Sequence, residues 1–204
     1  MPATPEATDE TKRDKRLGGI LAAAAQVFAQ EGYDRASIRA VAERAGVSVP
    51  GLYHYVGSKE ELLFLIQYHA FHELVLKLER DSRDVADPEA RLELLIQNHL
   101  ERFLANMAEL VVCSREIDRL EGEFRARVGA QQREYFRMAQ DVFSELRGRG
   151  DGNGVDPRTA TLAMFGAINW VHTWYRPGSS PSAARLSRDF ARLYLRGVLG
   201  GASG

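Results

Sequence analysis

The residues best suited to contact another molecule lie between Ser37 and Lys59, in the run SIRAVAERAGVSVPGLYHYVGSK. Serine, tyrosine, lysine and arginine side chains bind phosphate oxygens, and small apolar side chains contact the methyl groups of thymine. This mixture favours a surface that binds double-stranded DNA. The candidate DNA-binding residues are Ser37, Arg39, Arg44, Ser48, Val49, Pro50, Gly51, Tyr53, His54, Tyr55 and Lys59.

Two short helices must position these side chains. Ser37 is a suitable N-cap for a helix over 38–45, in which the apolar residues share one face. Gly46 adopts the left-handed conformation at no steric cost, so it can end that helix. Ser48 can cap a second helix that has Pro50 in its first turn. A short, capped helix held at an angle to its predecessor fits a recognition helix in a major groove.

The sequence over residues 15–66 resembles the DNA-binding domain of the tetracycline-repressor (TetR) family of bacterial regulators. Three blocks in register carry the resemblance: AQVFAQEGYDRAS, I-x-x-V-A-x-x-A-G-V-S and L-Y-x-Y-x-x-S-K-E-E-L. It implies that Tyr53 and Lys59 contact DNA phosphates. The family often has Lys, Gly or Thr where Val49, Pro50 and Gly51 stand, so we expect base reading to depend on thymine methyls, His54 and DNA shape.

A second group of residues is suited to a small-molecule ligand. A single helix is predicted from the Asp156 cap through Tyr175. Trp170 and Trp174 are four residues apart and lie on one face of it, where two indoles can wall an apolar tunnel. Asn169 adds amide donors and an acceptor, and guanidinium groups suit phosphate or carboxylate. The alternatives are core or dimer packing for the tryptophans and solvated charge for the arginines. The candidate ligand-binding residues are Arg102, Phe103, Arg115, Asn169, Trp170, Trp174 and Arg176.

The run GAINWVHTWYRPGSSPSAARLSRDF is similar to the C-terminal part of TetR-type regulators that sense acyl-CoA thioesters. The resemblance implies an acyl-CoA effector and no other cofactor. It also implies a homodimer through the last two helices, where small residues such as Ala160, Ala163 and Ala167 allow close approach. A dimer would present two recognition helices to a palindromic operator. The alternative is a monomer with these helices in its core.

The remaining pattern predicts an all-α fold. Residues 1–57 are expected to form an N-terminal arm and a three-helix helix-turn-helix DNA-binding head, and residues 58–204 a larger helical body for ligand binding and dimerisation. Residues 1–11 are expected to be unstructured, and the basic residues that follow form either a DNA-contacting arm or a solvated helix start. Helices are predicted to begin at Ser58, Asp87 and Asp156. A loop is predicted over 148–154, and a C-terminal tail after residue 198.

Composition sets few further limits. The chain has 204 residues with 27 Lys+Arg and 28 Asp+Glu, so its net charge of -1 does not by itself indicate nucleic acid. The 1 Cys excludes an intrachain disulfide, and a reducing cytoplasm fits. We expect neither a signal peptide nor a membrane-spanning helix. No catalytic or metal-binding constellation is present in the pattern, so neither an enzyme nor a metal site is predicted.

The sequence therefore predicts a ligand-responsive, DNA-binding transcriptional repressor of lipid or organic-acid catabolism genes, released by an acyl-CoA thioester. One alternative is a TetR-type sensor of another hydrophobic small molecule, such as a drug. The other is a helical carrier that does not use DNA.

Overall fold

The computed structural model describes the backbone of residues 5–149 and 154–199, with side chains over 12–149 and 154–196. Within these ranges the chain forms ten α-helices and one 3-10 turn, and no strand, so the all-α prediction is confirmed. The helices are α1 Pro5–Glu31, α2 Ile38–Ala45, α3 Val49–Tyr53, α4 Lys59–Ser82, α5 Pro88–Ala105, α6 Met107–Arg115, α7 Gly122–Arg149, α8 Pro157–Asn169, α9 Val171–Trp174 and α10 Ala183–Leu199, with the 3-10 turn at Ile117–Arg119.

Local capping explains where the later helices begin. The Ser58 hydroxyl accepts a hydrogen bond from the Glu61 backbone N–H at 3.0 Å, and Asp156 accepts one from Thr159 at 3.0 Å. Asp87 caps α5 in the same way, with a proline in the first turn. Each bond satisfies a backbone donor that the helix leaves unpaired, so the predicted starts agree with the structure.

Two expectations differ from the structure. α1 begins at Pro5, so the segment predicted to be unstructured over 1–11 is helical from Pro5, while residues 1–4 lie outside the described part. The predicted single helix through Tyr175 instead ends at Asn169, and α9 follows it. The predicted loop at 148–154 and the C-terminal tail lie largely outside the described residues.

The break after α8 has a local cause. His172 Nδ1 donates to the Asn169 carbonyl at 2.8 Å, and the Thr173 hydroxyl donates to the Trp170 carbonyl at 2.8 Å. These side chains compete for carbonyls that a continuous helix would use. Trp170 and Trp174 therefore do not share the face of one uninterrupted helix.

Two hydrophobic clusters organise the packing. One joins α1, α2, α3 and the first half of α4 around residues such as Phe28, Leu52 and Leu63, and it also includes Val112 of α6 and Val128 of α7. The other joins the second half of α4 to α5, α7, α8 and α10 around residues such as Leu95 and Phe143. α4 contributes to both clusters, so movement of this helix would change the packing of both. The boundary between residues 57 and 58 stays a prediction.

None of the described helices is long and apolar enough to cross a membrane.

Candidate functional site

The first candidate site is the helix-turn-helix formed by α2 and α3. The Ser37 hydroxyl accepts from the Ala40 N–H, and the Ser48 hydroxyl accepts from the Gly51 N–H, each at 3.1 Å. Between the helices Gly46 takes φ 63°, a left-handed conformation that favours glycine. Both serine hydroxyls still hold a proton to donate, so capping and phosphate contact are compatible.

α3 presents its outer face to solvent around one buried anchor. Leu52 is buried in the head core, whereas Tyr53 is 50% exposed and His54 is exposed. Tyr55 is half-buried and packs against the head cluster, so His54 is the more accessible of the two. Of the remaining predicted α3 residues, Pro50 is exposed and Gly51 is half-buried, whereas Val49 is half-buried and packs against the head cluster.

Basic residues of α1 border this helix. Arg16 donates to the Gly46 carbonyl at 3.2 Å, and Arg13 and Arg16 line one shallow depression together with Ser48 and His54. Positive charge therefore lies beside the recognition helix although the whole chain is nearly neutral, which is the arrangement that phosphate binding requires.

Two predicted arginines of α2 differ in their surroundings. Arg44 donates to the side-chain oxygens of Gln26 and Gln30, both at 3.1 Å, and so links α2 to α1. Arg39 is exposed. Of the two, Arg39 is the freer to reach a phosphate.

Lys59 has an intramolecular role that the sequence did not reveal. Its ammonium donates to the carbonyls of Tyr33, Ala36 and Asp34 at 2.7, 2.9 and 3.3 Å, and it lies 4.4 Å from the centroid of the Tyr33 ring. These contacts give Lys59 a packing role within the head, and its contact with a DNA phosphate stays a prediction. Lys59 fastens the turn between α1 and α2 to the start of α4.

The second candidate site is a cavity of about 640 Å³ in the body, between α5, α6, α7 and α8. Its wall is largely aromatic, which suits an apolar or ring-bearing ligand. Four predicted residues meet there: Phe103, Arg115, Asn169 and Trp170. The structure adds several residues that their spacing did not mark, because their side chains meet only when α4, α7 and α8 pack around the cavity: Phe71, Gln132, Tyr135, Phe136 and Phe165.

A polar network crosses the buried wall of this cavity. His99 Nε2 lies 3.0 Å from Asn169 Oδ1, and the Tyr135 hydroxyl lies 3.4 Å from His99 Nδ1. Because Asn169 Oδ1 only accepts, Nε2 carries the proton and Nδ1 accepts from Tyr135. Burial lowers the pKa of His99 to about 3, and burial raises the pKa of Tyr135. Both groups are therefore neutral near pH 7, and the network adds no charge.

Three predicted ligand residues do not reach the cavity. Arg102 pairs with Glu109 at 2.7 Å and lines a different cleft, beside α1. Arg176 folds back onto the Tyr175 carbonyl at 2.9 Å, and Trp174 is 41% exposed beyond the helix break. The prediction that these three join Trp170 in one site is not supported, because the break and the Arg102 ion pair direct them elsewhere.

One segment, residues 113–119, connects the cavity to the head. Cys113, Arg115 and Ile117 line the cavity. Between them, the buried Glu116 accepts from the backbone N–H of Tyr33 at 3.2 Å, and its own carbonyl accepts from the Gln67 side chain at 2.9 Å. The wall of the cavity and the turn between α1 and α2 are thus joined through consecutive residues.

Arg119 strengthens this connection. Its guanidinium pairs with Asp34 at 2.9 Å and with Glu116 at 3.5 Å. The α1–α2 turn is therefore held on one side by Lys59 and on the other by Glu116 and Arg119, which we call the Glu116–Arg119 clamp.

A helix-turn-helix head joined to a helical body with an internal cavity defines a DNA-binding regulator with a ligand site. The family described as "Bacterial regulatory proteins, tetR family" matches residues 20–66, and "Tetracyclin repressor-like, C-terminal domain" matches residues 85–198. The chain belongs to the TetR family of bacterial transcriptional regulators.

Relatives span nearly the whole chain. The fatty acid metabolism regulator protein of Bacillus subtilis is 25% identical over 189 residues, covering 92% of this chain and 97% of that protein. The HTH-type transcriptional repressor KstR2 of Mycobacterium tuberculosis is 26% identical over 188 residues, covering 91% and 94%. Among solved structures, AibR in complex with isovaleryl coenzyme A and operator DNA has a TM-score of 0.76 at 23% identity, covering 92% and 100%.

Proposed function

We propose that this protein is a dimeric transcriptional repressor of lipid or organic-acid catabolism genes that an acyl-CoA thioester releases from its operator. The observation that carries the proposal is the joining of an aromatic cavity to the helix-turn-helix through residues 113–119. The relatives named above regulate fatty acid metabolism or act as repressors, and one was solved with a CoA thioester and operator DNA. We propose no enzymatic role. We place the protein in the cytoplasm because the DNA that it binds is there.

The chemistry of the cavity favours a thioester over the free acid. A carboxylate held against the buried His99–Tyr135–Asn169 network would be unpaired, which is costly, because that network is uncharged and the Arg115 guanidinium of the lining is exposed to solvent. A thioester is uncharged at the acyl carbon and presents only a carbonyl oxygen to such a wall. The aromatic lining then supplies contacts for the acyl group.

The Glu116–Arg119 clamp would transmit the effect of ligand binding from the cavity to the DNA-binding head. A ligand that displaces Cys113 or Ile117 would move Glu116, and with it the turn that follows α1. Lys59 and Gln67 tie the same turn and segment to α4, so the head and α4 would respond together. The change required is modest, since typical coupling between two sites is about 1–3 kcal/mol.

Helices α8 and α10 carry the proposed dimer surface. Leu162, Trp170 and Leu193 are 54%, 62% and 68% exposed, and Gly166 lies between them on α8. Large apolar side chains so exposed, beside small residues that permit close helix approach, are typical of an interface. The paired subunits would present two α3 helices to the half-sites of a palindrome.

The dimer is tested with Leu193→Glu. We expect it to shift the protein from dimer to monomer in analytical ultracentrifugation, because each dimer interface would then bury two carboxylates. Leu76→Glu, at a residue 44% exposed in the second half of α4, is the matched control. Equal dimerisation by both variants would contradict this surface.

The regulatory function is tested by gel shift on DNA from beside the protein's own gene, with and without a panel of acyl-CoA thioesters. Relief of the shift by one thioester, and not by its free acid, is the expected result. Relief by an uncharged aromatic drug but by no thioester would favour a sensor of other hydrophobic molecules, for which the aromatic wall is also suited. No shift on any fragment at low salt would favour a carrier that does not use DNA.

A further inference from the structure

A second depression of about 890 Å³ opens beside the aromatic cavity, between the first half of α7 and the start of α8. The two are contiguous, because Ile117, Gln132 and Phe136 line both. Their linings differ: the first is rich in aromatic side chains and has one arginine, Arg115, whereas the second has three arginines. A ligand that filled both would need an apolar end and a strongly anionic end.

The arginines of this depression are not equally committed. Arg125 pairs with Asp118 at 3.0 Å. Arg133 and Arg158 form no ion pair with any carboxylate of the described residues, although neighbouring Arg137 pairs with both Glu134 and Asp141. Two uncommitted guanidinium groups on one concave surface suit phosphate oxygens, which their planar donors bind in pairs.

Gln132 marks the junction of the two spaces. Its side-chain nitrogen is buried and has no hydrogen-bond partner among the described residues. A buried donor left unpaired is unfavourable, so a ligand acceptor at this point would be stabilising. Phe136 stands at the same junction, with the Arg158 guanidinium 5.6 Å from its ring centroid, and so holds that arginine towards the depression.

We propose that this depression is the subsite for the phosphate-bearing end of a CoA thioester, with Arg133 and Arg158 binding phosphates and Gln132 donating to the thioester carbonyl. The acyl group then occupies the aromatic cavity, and the thioester lies at the junction. The inference rests on the proposed function and extends it, because it assigns the part of the ligand that all CoA thioesters share.

The test separates the two ends of the ligand. Affinities of the full-length protein are measured by calorimetry for isovaleryl-, octanoyl- and phenylacetyl-CoA, and for the N-acetylcysteamine thioester of each acid, which keeps the thioester but lacks phosphates. We expect Arg133→Ala and Arg158→Ala each to weaken the CoA thioester about ten-fold and to leave the N-acetylcysteamine thioester unchanged. We expect Gln132→Met to weaken both kinds of thioester alike, because the carbonyl is common to both.

Arg137→Ala is the matched control, since it removes an arginine from the same helix that is already paired. Raising salt should weaken CoA thioester binding less in the double variant Arg133→Ala/Arg158→Ala than in the unaltered protein. Equal CoA affinity in the unaltered protein and the double variant would overturn the subsite alone. If the unaltered protein binds operator DNA but none of the CoA thioesters, the proposed effector is overturned as well.

Discussion

The head and the body differ in how their polar groups are satisfied. In the head the hydroxyls of Ser37 and Ser48 cap helices, and Lys59 donates to three carbonyls. In the body, Gln132 keeps a buried nitrogen with no partner among the described residues, and Trp170 leaves a large apolar surface in solvent. The head is thus a preformed surface that can dock as it is. The body has groups that another molecule would complete.

The largest expected effect tests whether the two cores are separable. Leu52→Ala should destabilise the head by about 2–5 kcal/mol, because Leu52 is fully buried and its removal leaves a cavity. Operator binding should then be lost while thioester binding persists. Denaturant unfolding measures the stability, gel shift measures operator binding and calorimetry measures thioester binding. The exposed Leu76→Ala is the control. Loss of both functions together would show that the cores fold as one.

The next effect tests the connection between the regions. Glu116→Ala removes the acceptor of the Tyr33 N–H and one partner of Arg119. We expect the ratio of operator affinities with and without thioester, about 5–150-fold in typical coupled systems, to fall towards one, while the thioester still binds. Fluorescence anisotropy of a labelled operator measures this ratio.

Asp118→Ala is the matched control for that variant, because Asp118 is exposed in the same segment and pairs with Arg125 of α7 instead of the head. A Glu116→Ala protein with undiminished coupling would exclude the Glu116–Arg119 clamp as the route.

Lys59→Met should cost about 1–3 kcal/mol of stability, since it removes a charged donor from carbonyls of the α1–α2 turn. If Lys59 acts only within the head, the dependence of operator affinity on salt stays unchanged. A direct phosphate contact would instead reduce the salt slope by about one unit. Thermal unfolding measures the loss of stability, and salt titrations measure the salt dependence of operator affinity. Arg39→Met is the comparison, because Arg39 is exposed.

The last effect concerns acid stability of the cavity, and it is the smallest only when it is expressed per pH unit. Burial lowers the pKa of His99 from its ordinary value of 6.5 to about 3. As the pH falls, His99 of the unfolded chain binds a proton near pH 6.5, whereas His99 of the folded protein does so only near pH 3. The contribution of His99 to the stability of the fold is therefore fully present above pH 6.5 and is lost as the pH falls towards 3. The loss is at most about 1.4 kcal/mol per pH unit.

Unfolding free energies between about pH 7 and pH 4 check this, with His99→Gln as the comparison, because glutamine does not titrate. The variant should show the shallower dependence on pH. Parallel curves for the two proteins would mean that His99 is not the group responsible.

The contrast between the regions also explains what the sequence could predict. Ser37, Ser48 and Asp87 were identifiable as caps because a cap bonds to backbone only three residues away. The role of Lys59 was not, because its carbonyl partners are 23 to 26 residues distant. The cavity was only partly predicted for the same reason: Phe103 and Asn169 were selected, but Tyr135 and Phe136 become part of its wall only when α7 packs against α5 and α8.

The break at Trp170 was missed for a different reason. Apolar spacing continues through residues 160–174, and this pattern predicts one helix. The side chains of His172 and Thr173 nevertheless bond to carbonyls at the end of α8. Side-chain competition for backbone groups is local, yet it does not alter the hydrophobic period.

The central claim is that the cavity in the body and the recognition helix in the head are thermodynamically coupled. The most direct measurement is a closed cycle: operator affinity with and without the releasing thioester, and thioester affinity with and without operator. Linkage requires the two ratios to be equal. We predict that the thioester weakens operator binding and that the operator weakens thioester binding by the same factor, about five-fold or more. A thioester that binds the protein while both ratios remain at one would contradict the account.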